Sequence, residues 1–256
     1  VAAGCFGTWD ETGRYIHLAV SAGAVAGMGY GEALGHFIAE DGCALPERAA
    51  LTAALSAWAR EPTDDPLMPA RAELLQTMIR NDLPAGFHRV VHPHKDFSLT
   101  AAAYQMRVPL TVHPGIGYDI ICNNPAANGA VLGRGADTDY RTFAHSVMQL
   151  DGGVFLSVGS AIMAPQVFEK ATSFANNLRR QQGLGPIQPF ILVNDLAAID
   201  WDWRKGEPPQ DNPAYYLRFC KSFSRMGGEM VYAGGDNKVL LTNLWAGLRD
   251  GTAYDR

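Results

Sequence analysis

The residues best suited to chemistry follow five apolar segments that have the character of strands. Each segment ends in small or acidic residues, at Ser21-Ala22-Gly23, Gly115-Ile116-Gly117, Gly159-Ser160, Asn194-Asp195 and Gly234-Gly235-Asp236. In open parallel sheets, ligands bind outside the carboxyl ends of the strands, where a following helix offers free N–H groups to an anion. The five ends together predict a ligand site, although a tight turn and a helix cap explain any one of them.

Aspartates stand at two of these ends. Asp195 and Asp236 each follow an apolar run, where a carboxylate can bind ribose hydroxyls or a substrate amine. Asp119 follows Gly-Ile-Gly-Tyr and can serve in the same way. A single aspartate in such a place is more often a loop cap, but a pair in one sheet favours function.

Lys221 lies among aromatic residues in the segment YYLRFCKSF. Desolvation lowers the pKa of a lysine amine, which can then act as a nucleophile or a base. The alternative interpretation is that Lys221 lies at the solvent-exposed edge of an amphipathic helix.

Two histidines form an HxH pattern at residues 92–94. In a continuous strand His92 and His94 point the same way, as some metal hydrolases require, and His113 with Asp119 can complete the ligand set. Pro93 interrupts that strand, so polar histidines near a cleft are the competing interpretation, and no metal ligand is assigned.

The segment SAGAVAGMGYGEALG, residues 21–35, is rich in glycine but lacks GxGxxG. No acidic residue at the end of a clear second strand completes the dinucleotide-binding fingerprint. Close packing of a helix on a sheet explains much of this glycine.

Strand-like and helix-like runs alternate along the chain, which predicts βαβ units and a mostly parallel sheet with helices on both faces. Strands are predicted at residues 14–20, 88–94, 108–113, 154–158, 189–195 and 229–236. Helices are predicted at residues 30–42, 46–61, 69–84, 98–106, 139–150, 215–228 and 238–248, and also after Gly159-Ser160. We predict a single α/β domain over residues 1–256, with a helical subregion at 43–86.

The composition excludes several classes of protein. A net charge of −5, a pI of about 5.8 and scattered basic residues argue against a nucleic-acid or membrane binder. No apolar run approaches the ~20 residues of a membrane span, and no signal-peptide pattern is visible. The four cysteines form no CxxC pair, so we expect a cytoplasmic protein with free thiols.

The order of these motifs resembles deoxyhypusine synthase and its bacterial homologues, over roughly residues 96 to 248. SLTAAAYQMRVPLTVHPGIGYDI is similar to the family's helix, strand and glycine loop, and FLSVGSAIMAPQVFEKA to its strand, glycine turn and helix. YYLRFCKSF stands where the family has its Trp-Gly-Lys helix, and VYAGGDN where it has a strand ending in Asp. VSAGAVAG matches the family's Thr-Ala-Gly-Gly turn in position.

The resemblance implies a modified Rossmann fold, a homotetramer and bound NAD. It implies an NAD-dependent transferase or oxidoreductase that oxidises an amine such as the polyamine spermidine and transfers a four-carbon amine through an imine on a lysine. By position, Lys221 would form the imine and Asp119 would hold the amine. The resemblance assigns six residues to the cofactor: Ser21, Gly23, Gly159, Ser160, Asp195 and Asp236.

The chain departs from the family at the catalytic motif. Phe219 and Cys220 stand where the family has Trp and Gly, and MAPQV stands in place of its Lys-His-His run. Two alternatives therefore stay open: a metal-dependent hydrolase using the HxH at residues 92–94, and a non-catalytic oligomeric homologue of the fold.

Overall fold

The computed structural model describes residues 9–251 and divides the chain into two compact units, Val1–Phe143 and Ala144–Arg256. The prediction that residues 1–256 fold as a single domain stays a prediction. Among residues 9–251, no helix is both long and apolar enough to cross a membrane.

The first unit is built mainly of helices. Its elements are α1 (Asp10–Ala24), α2 (Tyr30–Ala39), β1 (Gly42–Leu45), α3 (Arg48–Arg60), α4 (Met68–Arg80), β2 (Gly86–Arg89), α5 (Leu99–Gln105) and most of α6 (Gly129–Met148). Strands β1 and β2 pair antiparallel, with Gly42 opposite Arg89. Buried side chains of α1, α2, β1, α3 and α4 form its core. Helices α3 and α4 lie within the subregion predicted to be helical.

The strand predicted at residues 14–20 is wrong, because these residues belong to α1. Every residue from His17 to Ala24 is buried. A helix buried on all sides produces the same unbroken apolar run as a buried strand, so periodicity does not separate the two. Ser21 and Gly23 therefore lie inside a helix and not at a strand end. A Cβ on Gly23 would stand 2.6 Å from the Cβ of Ala33, so glycine here lets α1 and α2 approach closely.

Two further strand predictions need correction. Residues 108–113 form no strand, since Pro109 has no N–H and the N–H of Val112 donates to the Asp139 carboxylate at 2.7 Å. The strand predicted at 88–94 is shorter: β2 ends at Arg89, and the N–H of His92 donates to the Asp41 carboxylate at 2.9 Å. The helix predicted at residues 98–106 is present as α5, and the Ser98 hydroxyl caps it by accepting from the N–H of Ala101.

The second unit contains the parallel sheet. Its elements are β3 (Val154–Val158), α7 (Met163–Gln181), β4 (Phe190–Asp195), α8 (Arg218–Ser224), β5 (Glu229–Gly234) and α9 (Asn237–Arg249), after the last turns of α6. The strands lie in the order β3-β4-β5, all parallel and flanked by helices. The α/β class and the parallel pairing are confirmed, whereas the finer assignment to a modified Rossmann fold remains a prediction.

An aromatic cluster packs the helices onto one face of this sheet. Phe155 of β3 stacks on Phe168 of α7, with ring centroids 3.9 Å apart, and contacts Phe223 of α8. Phe168 and Phe223 are both fully buried, and burying a side chain of this size contributes roughly 1.5–3 kcal/mol. The cluster fixes the strand ends relative to the helices that follow them.

Candidate functional site

The carboxyl ends of β3, β4 and β5 meet at one edge of the sheet. Val158 pairs with Asn194, and Asp195 with Gly234, so the residues that follow each strand are neighbours. This edge gathers four of the predicted cofactor residues: Gly159, Ser160, Asp195 and Asp236. The predicted meeting of these three strand ends is confirmed.

Gly159 directly follows β3, an outer strand of the sheet. Its φ of +66° lies in the left-handed region that glycine adopts without strain. Its N–H donates to the carbonyl of Asn194 at 2.9 Å, and a Cβ at this position would collide with the side-chain amide of Asn237. The turn therefore needs glycine both for its dihedral angle and for the close approach of Asn237.

Two asparagines beside Gly159 carry unpartnered polar atoms. The Asn194 amide nitrogen donates to the carbonyls of Ala233 at 2.7 Å and of Gly235 at 3.3 Å, which fixes the orientation of the amide group. Its Oδ1, and the Oδ1 of Asn237, are buried and find no hydrogen-bond partner in residues 9–251. A buried acceptor without a donor costs about 1–3 kcal/mol, so each oxygen favours a ligand that donates a hydrogen bond.

The predicted polar residues of this edge are engaged in local turns. The Ser160 hydroxyl accepts from the N–H of Ala164 at 3.1 Å, near the start of α7. The Asp195 carboxylate accepts from the N–H of Ala197 at 3.1 Å. Asp236 caps α9 by accepting from the N–H groups of the next turn. Sequence reasoning assigned the aspartates to the cofactor. It placed Asn194 at a strand end without giving it a role, and it did not single out Asn237, which follows Asp236.

Lys221 of α8 forms an ion pair in this unit. Its side chain is 17% exposed, and its amine lies 2.9 Å from Oε1 of Glu207 and 3.4 Å from the centre of the Tyr215 ring. Tyr215 first and Glu207 second raise the pKa of Lys221. The amine is therefore held in its charged form, whereas the predicted nucleophile needs a lowered pKa. Glu207 also pairs with Arg225, at 2.5 Å.

Asp119, Ser21 and Gly23 belong to the unit Val1–Phe143, apart in the chain from Lys221 and the sheet edge. The Asp119 carboxylate accepts from the N–H of Gly115 at 2.6 Å, which closes the Gly-Ile-Gly-Tyr turn. This contact matches the loop-cap interpretation of Asp119.

The glycine-rich segment of the first unit surrounds a carboxylate of the chain itself. Asp139 is 2% exposed, and its Oδ2 accepts from the N–H of Gly31 at 2.8 Å, in the first turn of α2. A Cβ on Gly29 would collide with the same carboxylate. Desolvation by burial raises the pKa of Asp139. The anion position at the start of α2 is thus filled by the chain's own carboxylate: Gly29 makes room for Asp139, and Gly31 donates its N–H to it.

The residues proposed for a metal site have other partners. His92 packs its ring against Phe37, and His113 contacts the Thr111 hydroxyl at 3.1 Å while its ring packs against Phe143. Across residues 9–251, no three side chains of His, Cys, Asp or Glu form a group that could hold a metal ion. The arrangement required by the metal-dependent hydrolase is therefore not present among these residues.

Comparison of the chain with family models, curated proteins and solved structures gave no match.

Proposed function

We propose that the carboxyl edge of the β3-β4-β5 sheet binds NAD, and that the chain is an NAD-dependent enzyme of the deoxyhypusine synthase-like class acting on an amine. The observation that carries the proposal is the pair of buried, unpartnered amide oxygens of Asn194 and Asn237, two residues that both adjoin Gly159. Ribose hydroxyls are donors of the kind that these oxygens lack.

The turn at Gly159 supports the same ligand. Without a side chain at this position, a ligand can approach the backbone where β3 leads toward α7. The start of α7 adds few donors, because the N–H of Ala164 already donates to the Ser160 hydroxyl and Pro165 has no N–H. Asp195 and Asp236 provide carboxylates at the adjacent strand ends.

The amine chemistry rests on the resemblance. An imine requires a neutral lysine, and Lys221 would have to leave its ion pair with Glu207 before it could react. Asp119 as the amine-holding residue, the homotetramer and the cytoplasmic location belong to the same proposal.

The proposal is tested by titrating NAD into Asn237→Ala and Asn243→Ala variants of the whole chain. Asn237→Ala removes one unpartnered oxygen, and we expect NAD to bind at least about tenfold more weakly. Asn243→Ala removes the same amide further along α9, at an exposed position, and should leave the affinity unchanged. Isothermal titration calorimetry measures both, with mass spectrometry of material released on denaturation. If the unaltered chain neither binds nor releases NAD, the proposal is wrong.

The non-catalytic homologue is the second candidate. Its supporting observation is that Lys221, Ser160, Asp195 and Asp236 are each already engaged by the chain. A chain that binds NAD tightly but leaves spermidine and NAD unchanged over prolonged incubation would favour it.

A further inference from the structure

The first unit contains a second place for a ligand, a cavity of about 650 Å³. It is lined by residues of α1, α4, β2 and the segment that follows Asn124. Its size falls within the range of small-molecule sites. Much of its wall is apolar, with Tyr15, Leu18 and Phe87 among the lining residues.

His17 provides an acceptor on this wall. The side chain is 2% exposed, and its Nε2 lies 2.9 Å from the carbonyl oxygen of Ile121. A carbonyl only accepts, so Nε2 carries the hydrogen and the neutral ring presents Nδ1 as a bare acceptor. Nδ1 is buried and has no hydrogen-bond partner within the described part of the chain.

Thr77 of α4 lines the same cavity and also carries a polar atom without a hydrogen-bond partner among the described residues. The residue is 6% exposed, and its hydroxyl is buried without a partner among the described residues. A hydroxyl both donates and accepts, so it matches another hydroxyl. Two buried side chains on one cavity wall thus have polar groups that neither the protein nor bulk water satisfies.

His88 adds a third polar group. Its Nε2 lies 2.7 Å from the carbonyl oxygen of Pro84, which by the same reasoning makes Nδ1 of the neutral ring an acceptor. The charged lining residues are the guanidinium groups of Arg14 and Arg89 and the carboxylate of Asp10, which pairs with Arg14. The net charge of these three groups is positive. The cavity therefore disfavours a ligand whose hydrogen-bond donor is a cationic amine.

We propose that this cavity binds a neutral, polyhydroxylated small molecule of the sugar or nucleoside class. Because both atoms are closed to water in this structure, the cavity wall moves slightly on binding, so that one ligand hydroxyl donates to Nδ1 of His17 and another exchanges hydrogen bonds with the Thr77 hydroxyl. The ligand ring packs against the apolar wall. The site lies in the first unit, does not depend on NAD binding, and goes beyond the function proposed above.

The test uses four probes on the whole chain: ribose, glucose, adenosine and spermidine. Binding is measured by saturation-transfer NMR and by calorimetry, on the unaltered chain and on variants. Thr77→Val replaces the unpartnered hydroxyl by a methyl group of similar shape. His17→Gln keeps an N–H donor for the Ile121 carbonyl but moves the acceptor from the Nδ1 position to the amide carbonyl oxygen. Thr172→Val is the matched control, since Thr172 is also a buried helical threonine with an unpartnered hydroxyl, in the second unit.

We expect at least one of the hydroxylated probes to bind, and Thr77→Val and His17→Gln each to weaken it about tenfold. Thr77→Val and Thr172→Val should both keep or raise the melting temperature, because each removes a buried hydroxyl without a partner. Of these two threonine variants, only Thr77→Val should weaken binding of the ligand. This difference separates a role of Thr77 in binding from a role in stability. Binding of ribose or glucose points to a free sugar, and binding of adenosine alone points to a nucleoside.

Three outcomes overturn the proposal. They are the absence of binding by ribose, glucose and adenosine, tighter binding of spermidine than of these probes, and unchanged binding in both Thr77→Val and His17→Gln. Asn237→Ala distinguishes this site from the sheet edge: adenosine bound in the cavity keeps its affinity in that variant, whereas adenosine bound at the NAD site loses it.

Discussion

At the scale of single residues, Glu207 forms two ion pairs, more than any other carboxylate among the described residues of the second unit. Its carboxylate pairs with Lys221 of α8 and with Arg225 directly after that helix. These contacts tie the segment before α8 to the helix that carries the predicted catalytic lysine. Lys221 first and Arg225 second lower the pKa of Glu207 from its usual value of 4.5.

This network predicts a pH dependence of stability. A carboxylate with a lowered folded pKa stabilises the protein fully above its unfolded pKa of about 4.5, and this stabilisation is lost as the pH falls through the lower folded value. The raised pKa of Lys221 keeps its charge up to and beyond pH 10.5. We therefore expect Glu207→Gln to lower the melting temperature by a few degrees at pH 7, and the difference to shrink below pH 4.5.

Thermal unfolding from pH 2.5 to 8 measures this difference. Glu169→Gln is the control, because Glu169 pairs with its sequence neighbour Lys170, whose side chain is 68% exposed. An equal loss at pH 3 and pH 7 would show that Glu207 stabilises through packing and not through its charge.

The sequence predicted where the acids lie but not what they do. Asp195 and Asp236 do stand at adjacent strand ends, because apolar runs mark parallel strands whose ends share an edge. Whether a carboxylate points to a ligand or to the next N–H depends on the backbone angles of the turn, which composition does not reveal. His17 was taken as part of a strand for a different reason, because a helix buried on all sides has the same unbroken apolar run as a buried strand.

At the scale of elements, glycines within helices set how closely the helices pack. Gly35 lies within α2, where a Cβ would collide with the carbonyl oxygen of Thr100 and stand 2.8 Å from the Cβ of Tyr104. Gly133 lies within α6, where a Cβ would have nothing within 4 Å. Alanine at Gly133 therefore tests its intrinsic helix preference alone. Alanine at Gly35 also tests the packing of α2 on α5.

We expect opposite effects from the same substitution at these positions. Gly133→Ala should raise the free energy of unfolding by about 0.5–1 kcal/mol, because alanine loses less backbone entropy in a helix. Gly35→Ala should lower it by about 1–3 kcal/mol, because the added methyl forces α2 and α5 apart. Urea denaturation of both variants measures these changes. A gain at Gly35 equal to that at Gly133 would contradict the close contact of α2 with α5.

The elements themselves were predicted unevenly. The helices α2, α3 and α4 and the strands β3, β4 and β5 were recognised, because their apolar periods and their glycine or proline boundaries agree. Helix α1 was taken for a strand because its last turns are buried on all sides and show no helical period. Residues 108–113 were taken for a strand because the sequence does not reveal that the N–H of Val112 donates to the Asp139 side chain. Both wrong strand predictions fall in the first unit. Had they been right, the parallel sheet would have contained two more strands.

At the scale of the whole molecule, each compact unit carries its own candidate site. The sheet edge lacks donors for the amide oxygens of Asn194 and Asn237, and the cavity of the first unit lacks partners for His17 and Thr77. Unpartnered buried atoms of this kind are uncommon in folded proteins. Nine such atoms occur among the described residues, and four of them lie at these two places. Because the two places belong to different units, we expect the two ligands to bind independently.

Hydrogen exchange over the whole chain tests this independence, because a ligand slows exchange where it stabilises local structure. We expect NAD to slow the amides around residues 157–165, 194–197 and 234–239. A polyhydroxylated probe should instead slow those of residues 10–21 and 74–90, which include the lining of the cavity. Asn237→Ala should remove only the first pattern and Thr77→Val only the second, since each substitution touches one unit. If either ligand protects the other's segments, or if one variant removes both patterns, the two sites are not independent, and the assignment of one ligand to each unit fails.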